Sequence, residues 1–112
     1  MKTVVSCVDK FEQLCPAAAE RLSNCGWTLV DNMFGYPFDF KRYQKECSQA
    51  EVIIAGIERW NAERFDLAPH LRMIVRFGTG IDNIDQQEAL ARNIAIKRVI
   101  DGNTNAVAEQ TI

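Results

Sequence analysis

The chain has 112 residues, 47% of them hydrophobic and 25% charged, with a formal net charge of −2. That is enough apolar material for one domain to bury a core of its own. It leaves no basic excess of the kind that marks a binder of nucleic acid or of an anionic membrane, so no nucleic acid and no membrane are expected among its partners, and a small molecule is.

Taken in chain order, short apolar runs alternate with helical patterns, the βα alternation of a parallel sheet. Strands are expected at residues 3–8, 28–31, 52–57, 73–77 and 94–97; several are apolar on successive residues, as strands covered on both faces should be. The first run is broken by Asp9 and is too short for a signal peptide or a membrane span. Pro16 suits the first turn of a helix, with Leu14, Ala18, Leu22 and Cys25 on one stripe and Gly26 as the stop. Asp39 can cap a second helix, in which Phe40, Tyr43, Cys47 and Ala50 recur at helical steps. Asn61 can cap a third, with Pro69 ending it, and Asp85 with Glu88 has the spacing of a capping box opening a fourth. A further helix starts near Asn103, and only about two turns of it follow, a length marginal by itself in water.

Cys7, Cys15, Cys25 and Cys47 form no C-x-x-C pair and have no companion histidines, which argues against a zinc site and for reduced, mostly buried thiols of a cytoplasmic protein. His70, the single histidine, enters a strand at its amino end, the wrong edge for catalysis, and is expected to be a solvated loop residue. Trp27, Trp60 and the Phe34, Tyr36, Phe38, Phe40 series lack the basic groove that base stacking on a single strand needs. They are expected in the core and at a domain interface, with Trp60 among the groups left bare when a partner domain is removed. The segment from Phe34 to Phe38 could alternatively act as a lid.

The most informative stretch is Val75-Arg76-Phe77-Gly78-Thr79-Gly80-Ile81-Asp82-Asn83-Ile84-Asp85. Glycines on both sides of Thr79 allow a sharp turn after a strand and let backbone N–H groups approach a ligand; such a turn makes a small anion-binding concavity. In a doubly wound sheet the ligand site lies outside the carboxyl ends of the strands, so the loops after Val8, Ile57 and Phe77 should face it. Asp82, Asn83 and Asp85 could be read as paired carboxylates or metal ligands. Structural roles are expected instead, because Asp85 has a cap to make and no further oxygen ligands complete a metal site.

With Asn103-Thr104-Asn105-Ala106-Val107-Ala108-Glu109 following it, this stretch resembles the substrate-domain signature of the D-isomer-specific 2-hydroxyacid dehydrogenases, particularly their phosphoglycerate dehydrogenase-like branch. Three more segments carry the resemblance in the same order: Asn32-Met33-Phe34-Gly35-Tyr36-Pro37, Val52-Ile53-Ile54-Ala55-Gly56-Ile57-Glu58, and Ala68-Pro69-His70-Leu71-Arg72-Met73-Ile74. Two departures stand out. Tyr36 occupies a place where the family often has a basic residue, and Asn93 one where a glycine usually ends the helix, a benign change because Asn tolerates the left-handed conformation.

The βα alternation and the resemblance together give an α/β fold, a flavodoxin-like three-layer sandwich around a five-stranded parallel sheet of order 2-1-3-4-5. By resemblance, residues 1–102 are the substrate-binding domain and residues 103–112 begin the helix leading into an NAD-binding domain, so that the sequence looks cut at a domain junction. The resemblance implies an NAD-dependent oxidoreductase interconverting a 2-hydroxy acid and a 2-oxo acid. The substrate carboxylate would lie on Gly78, Thr79 and Gly80, with Gly56 and Glu58 on the opposite lip; Thr79, Asn103 and Thr104 would approach the cofactor. No G-x-G-x-x-G occurs in the 112 residues, and Arg76, inside the fourth strand, is not the family's catalytic arginine. This chain is therefore expected to hold no catalytic residue and no metal, to be inactive without the NAD-binding domain of the parent enzyme, and to form a homo-oligomer. A stand-alone carboxylate-binding or regulatory domain is the alternative. A receiver-type signalling domain would need an acidic cluster after the first strand, where only Asp9 is present.

Overall fold

Six consecutive residues of the first strand, Thr3 to Val8, are buried, and a strand can bury successive residues only when both of its faces are covered. The computed structural model, which describes residues 2–35, 38–77 and 83–99, places this strand accordingly. The elements in order are β1 (Lys2–Asp9), α1 (Phe11–Leu14), α2 (Pro16–Asn24), β2 (Trp27–Asn32), α3 (Gln44–Gln49), β3 (Val52–Ala55), α4 (Ala62–Asp66), β4 (Met73–Phe77), α5 (Gln86–Ala91) and β5 (Ala95–Val99). The five strands form one sheet of order β2-β1-β3-β4-β5, parallel throughout, with Val5 opposite Val30 on one side and Ile53 on the other. The expected order and fold class are borne out.

Alternation along the strands divides the core between two faces. Val5 and Cys7, with Ile53, Ala55 and Ile74, pack against Cys47 of α3, Phe65 of α4 and Ala89 of α5. Val4, Val8 and Ile54 face the other way, against Phe11 of α1, Cys15, and the half-buried Ala18 and Leu22 of α2. Ser6, fully buried in β1, satisfies its hydroxyl by donating to the Val8 carbonyl at 3.1 Å.

Most of the punctuation read from the sequence falls as expected. Pro16 opens α2, the Asn61 side chain accepts the Arg64 N–H at 3.0 Å, and that of Asp85 accepts the Glu88 N–H at 3.1 Å. Asn93 adopts φ 60°; its N–H reaches the Leu90 carbonyl and that of Ile94 reaches the Ala89 carbonyl, at 3.1 and 2.8 Å. These two bonds are the paired closure of a Schellman end, with asparagine in the usual place of glycine.

Four expectations need correction. The buried stripe of the first helical region runs through Phe11, Cys15 and Ala19, one residue away from the expected one, and Leu14 and Cys25 are exposed. The break at Cys15 between α1 and α2 resets the phase. Asp39 caps an isolated turn, accepting the Lys41 and Arg42 N–H groups at 3.1 Å each, and α3 begins only at Gln44. The third strand stops at Ala55, two residues early, because the Gly56 N–H turns to a side chain. The fifth begins at Ala95, because the N–H of Ile94 still closes the preceding helix. The expected helix at 103–112 lies outside the described residues. No helix among those described is long and apolar enough to cross a membrane.

Candidate functional site

The strands β1, β3 and β4 deliver their ends to one edge of the sheet. Asp9 closes β1 with one carboxylate oxygen buried and without a hydrogen-bond partner. Among the described residues no group of acidic or other side chains able to hold a metal surrounds it. The edge is instead built around the loop after β3.

In that loop the chain folds back on itself. The Glu58 carboxylate accepts the Gly56 N–H with both oxygens, at 3.1 and 3.0 Å, and the indole N–H of Trp60 at 2.8 Å. Gly56 is buried and Glu58 half-buried, so neither offers a vacant group to a ligand in this arrangement; Ile57 between them is 70% exposed. Burial pushes the Glu58 carboxyl above its usual range, while the bonds from Trp60, Gly56 and Cys7 pull the other way. Desolvation wins there because a half-buried anion loses more hydration than these donors and its own backbone N–H restore.

Beneath the loop lie two buried thiols. Cys7 is pushed well above the ordinary thiol range by burial first and then by the nearby Glu58 and Cys47, and Cys47 is pushed up to about 12 by burial, Glu46 and Glu58. Cys7, Cys15 and Cys47 are buried and Cys25 is exposed, none of them in a disulfide, as expected of the set.

Trp60 is the floor of this edge. It is 0% exposed, with the Phe65 ring stacked at 5.9 Å and the Phe40 ring edge-on at 5.4 Å. The expectation that it would be left bare is overturned: its own domain encloses the ring, and its one polar atom is satisfied by Glu58. Phe38 is likewise core, 4% exposed and stacked on Tyr43 at 5.0 Å, which removes it from any lid. Phe34 is the exposed member, with the Arg42 guanidinium 4.1 Å from its ring centre, while Tyr36 and Pro37 lie outside the described residues. The buried Asn32 anchors this second loop, donating to the Cys7 and Gly35 carbonyls at 3.2 and 3.0 Å.

The loop after β3 is joined to the chain beyond β4 through Asn83. Its side-chain amide donates to the carbonyls of Gly56 and Glu58 at 3.0 and 2.7 Å, and its oxygen accepts from Arg76 Nε at 3.1 Å. The Trp60 N–H donates to the Asn83 carbonyl at 2.7 Å and the Asp85 N–H to that of Trp60 at 2.8 Å. Structural roles for Asn83 and Asp85 are thus observed. The importance of Asn83 was hidden in the sequence, where an amide between two carboxylates gives no sign of bonds to residues 25 and 27 positions earlier. His70 is exposed at the opposite edge of the sheet, as expected. Gly78, Thr79, Gly80, Asp82, Asn103 and Thr104 lie outside the described residues; among those described, the structure brings together Gly56, Glu58, Trp60, Arg76 and Asn83.

Residues 9–111 match the family described as D-isomer specific 2-hydroxyacid dehydrogenase, catalytic domain, and the chain belongs to that family. Among its curated relatives, glyoxylate reductase of Thermococcus gammatolerans is 42% identical over 52 residues, 46% of this chain and 16% of the relative. D-3-phosphoglycerate dehydrogenase of Archaeoglobus fulgidus is 34% identical over 61 residues, 54% of this chain and 12% of that one. In fold, the chain superposes on the NAD+-bound 3-phosphoglycerate dehydrogenase of Entamoeba histolytica with a TM-score of 0.75 at 22% identity, over 96% of this chain and 36% of that one. The D-lactate dehydrogenase of Aquifex aeolicus, solved with NAD and lactic acid, gives 0.64 at 20% identity, over 98% and 31%. The chain spans about a third of the length of these solved proteins.

Proposed function

We propose that this chain is the substrate-binding domain of an NAD-dependent oxidoreductase that interconverts a 2-hydroxy acid and a 2-oxo acid. Residues 1–102 form that domain, and residues 103–112 begin the helix leading into an NAD-binding domain. The observation that supports this is the carboxyl end of β4, which lies beside β3 at the edge where parallel sheets bind ligands and after which Gly78-Thr79-Gly80 follow in sequence.

The backbone N–H groups of Gly78, Thr79 and Gly80 hold the substrate carboxylate by charge-assisted hydrogen bonds and orient the neighbouring C–H. Gly56 and Glu58 form the opposite lip, Glu58 by fixing the course of the loop. Thr79, Asn103 and Thr104 approach the cofactor. NAD, when bound, supplies or accepts the hydride. The described residues do not fit its pyrophosphate: where β1 leads into α1 there is no glycine but Lys10 at φ 51°, and the first N–H groups of α1, from Phe11 and Glu12, are already held by the Asp31 carboxylate at 2.8 and 3.0 Å. The pyrophosphate and the proton-transfer groups are therefore assigned to the second domain. The setting proposed is the cytoplasm, where thiols stay reduced, and the state a homo-oligomer, which a monomer mass in light scattering would contradict.

The test is titration of the 15N-labelled chain with glycolate. Saturable shifts of the Thr79 and Gly80 amides are expected; unchanged Thr79 and Gly80 amides alongside shifts elsewhere would refute the site.

A further inference from the structure

Two buried N–H groups converge on one carboxylate oxygen in the loop after β3. Glu58 Oε2 accepts from the Gly56 nitrogen at 3.0 Å and from the Trp60 indole nitrogen at 2.8 Å, and the Cys7 thiol bonds to the same carboxylate. Gly56 and Trp60 are buried, so neither donor can turn to water and each must always face an acceptor. Glu58 itself is only half-buried, and Ile57 and Arg59 on either side of it are exposed. Its side chain can therefore swing into solvent, where the carboxylate regains its hydration.

The donors stay behind when it does. The carboxylate tightens the loop but is not its only anchor: the Asn83 amide holds the Gly56 and Glu58 carbonyls at 3.0 and 2.7 Å, and backbone bonds tie Trp60 to Asn83 and Asp85. What remains is a pair of fixed, buried N–H groups aimed at one point, a donor set that an acceptor-only carboxylate satisfies. The sheet order places β2 on one side of β1 and β3, β4 and β5 on the other, so Gly56, directly after β3, lies at the switch point where such sheets bind ligands. We propose that the Gly56 and Trp60 N–H groups form a carboxylate-binding site that Glu58 fills from within, an autoinhibitory contact that a small carboxylate ligand displaces. Exchange of one carboxylate for another leaves the number of buried charges unchanged. Glu58 keeps its advantage through the high effective concentration of a group tethered within the same loop. The inference stands apart from the assignment of Gly78, Thr79 and Gly80, because it is read at other residues.

The test is titration of the 15N-labelled chain and of Glu58→Ala with acetate, against chloride at the same ionic strength. In Glu58→Ala, acetate is expected to shift the Gly56 amide and the Trp60 indole N–H saturably. The parent chain is expected to show the same two shifts with at least tenfold weaker affinity, because its own carboxylate competes. If Glu58→Ala is unfolded alone, acetate and not chloride should restore the dispersed Trp60 indole resonance, and a variant that acetate leaves unfolded would count against the site. Acetate affinity in Glu58→Ala equal to or below that of the parent would overturn the proposal, as would shifts that chloride reproduces. Binding by Glu58→Ala beside a parent chain silent at both positions would reduce the site to an engineered cavity and refute displacement. Shifts confined to Thr79 and Gly80 would support the glycine turn and refute this site.

Discussion

Replacing Glu58 by alanine and by glutamine separates the two things its carboxylate does. In Glu58→Ala the buried Gly56 N–H and the indole N–H of a Trp60 that is 0% exposed lose their acceptor. Each orphaned donor costs about 1–3 kcal/mol, and removing a partly desolvated anion returns some of this, leaving a net loss of about 2–4 kcal/mol. In Glu58→Gln the oxygen in the place of Oε2 can still accept both bonds, because that atom takes Gly56 N–H at 3.0 Å and Trp60 Nε1–H at 2.8 Å. The charge is removed, together with the acceptor in the place of Oε1, 3.1 Å from the Gly56 nitrogen. The Glu58 carboxyl is raised in the folded chain by burial, so folding binds its proton more tightly. Its favourable contribution is complete below the unfolded value, about 4.3 for a glutamate, and is lost as pH rises through the folded value. Stability of Glu58→Gln should therefore gain on the parent chain as pH is raised from about 4 toward neutrality. The assay is urea unfolding followed by tryptophan fluorescence at several pH values, with an unchanged m-value required of each variant. A Glu58→Ala chain within about 0.5 kcal/mol of the parent, or a glutamine variant as costly as alanine at neutral pH, would refute the reasoning.

Three further outcomes are expected. The chain alone should not oxidise NADH in the presence of glyoxylate, and turnover above the blank with purified protein would overturn the placement of catalysis in a second domain. Iodoacetamide should modify Cys25 in the native chain and spare Cys7, Cys15 and Cys47, which are buried; mass spectrometry showing rapid modification of all of them without denaturant would contradict the packing. Asn93→Gly should be neutral to slightly stabilising and Asn93→Ala should cost about 1 kcal/mol, because alanine lacks the local hydrogen bonding that lets asparagine hold a left-handed φ. Equal midpoints for the two in denaturant would refute that account.

The strands were readable because hydrophobic runs and turn residues are local signals, while their order came with the family resemblance: the run from Thr3 to Val8 announces a strand buried on both sides, and Asn61, Asp85 and Asn93 announce helix ends within a few residues. The phase of the first helical stripe was misread although Pro16 marks the break: the residue before a proline is steered out of the helical region, and Cys15, at φ −134° and ψ 66°, separates α1 from α2. At the site, the glycine turn stood out by composition alone. The self-gripping of Gly56 by Glu58 did not, because a glutamate two residues after a strand is equally at home in water. Asn83 and Trp60 were harder still: one is a short polar side chain and the other a ring that suits a core or an interface equally. What each does depends on partners brought near only by β3 and β4 lying side by side.

The central place of β1 also sets an order of events during synthesis. It leaves the ribosome first, yet Val4 has its two neighbours at Leu29 and Val52, so the inner strand of the sheet waits for both. At about 5–20 residues per second, β3 follows by roughly 3–10 s. Throughout that interval the apolar ribbon from Thr3 to Val8 has at most β2 beside it and an open edge on the side that β3 will occupy. The nascent chain is thus most vulnerable to foreign strands before β3 (Val52–Ala55) has emerged, and a slowly translated stretch between β2 and β3 would lengthen that exposure.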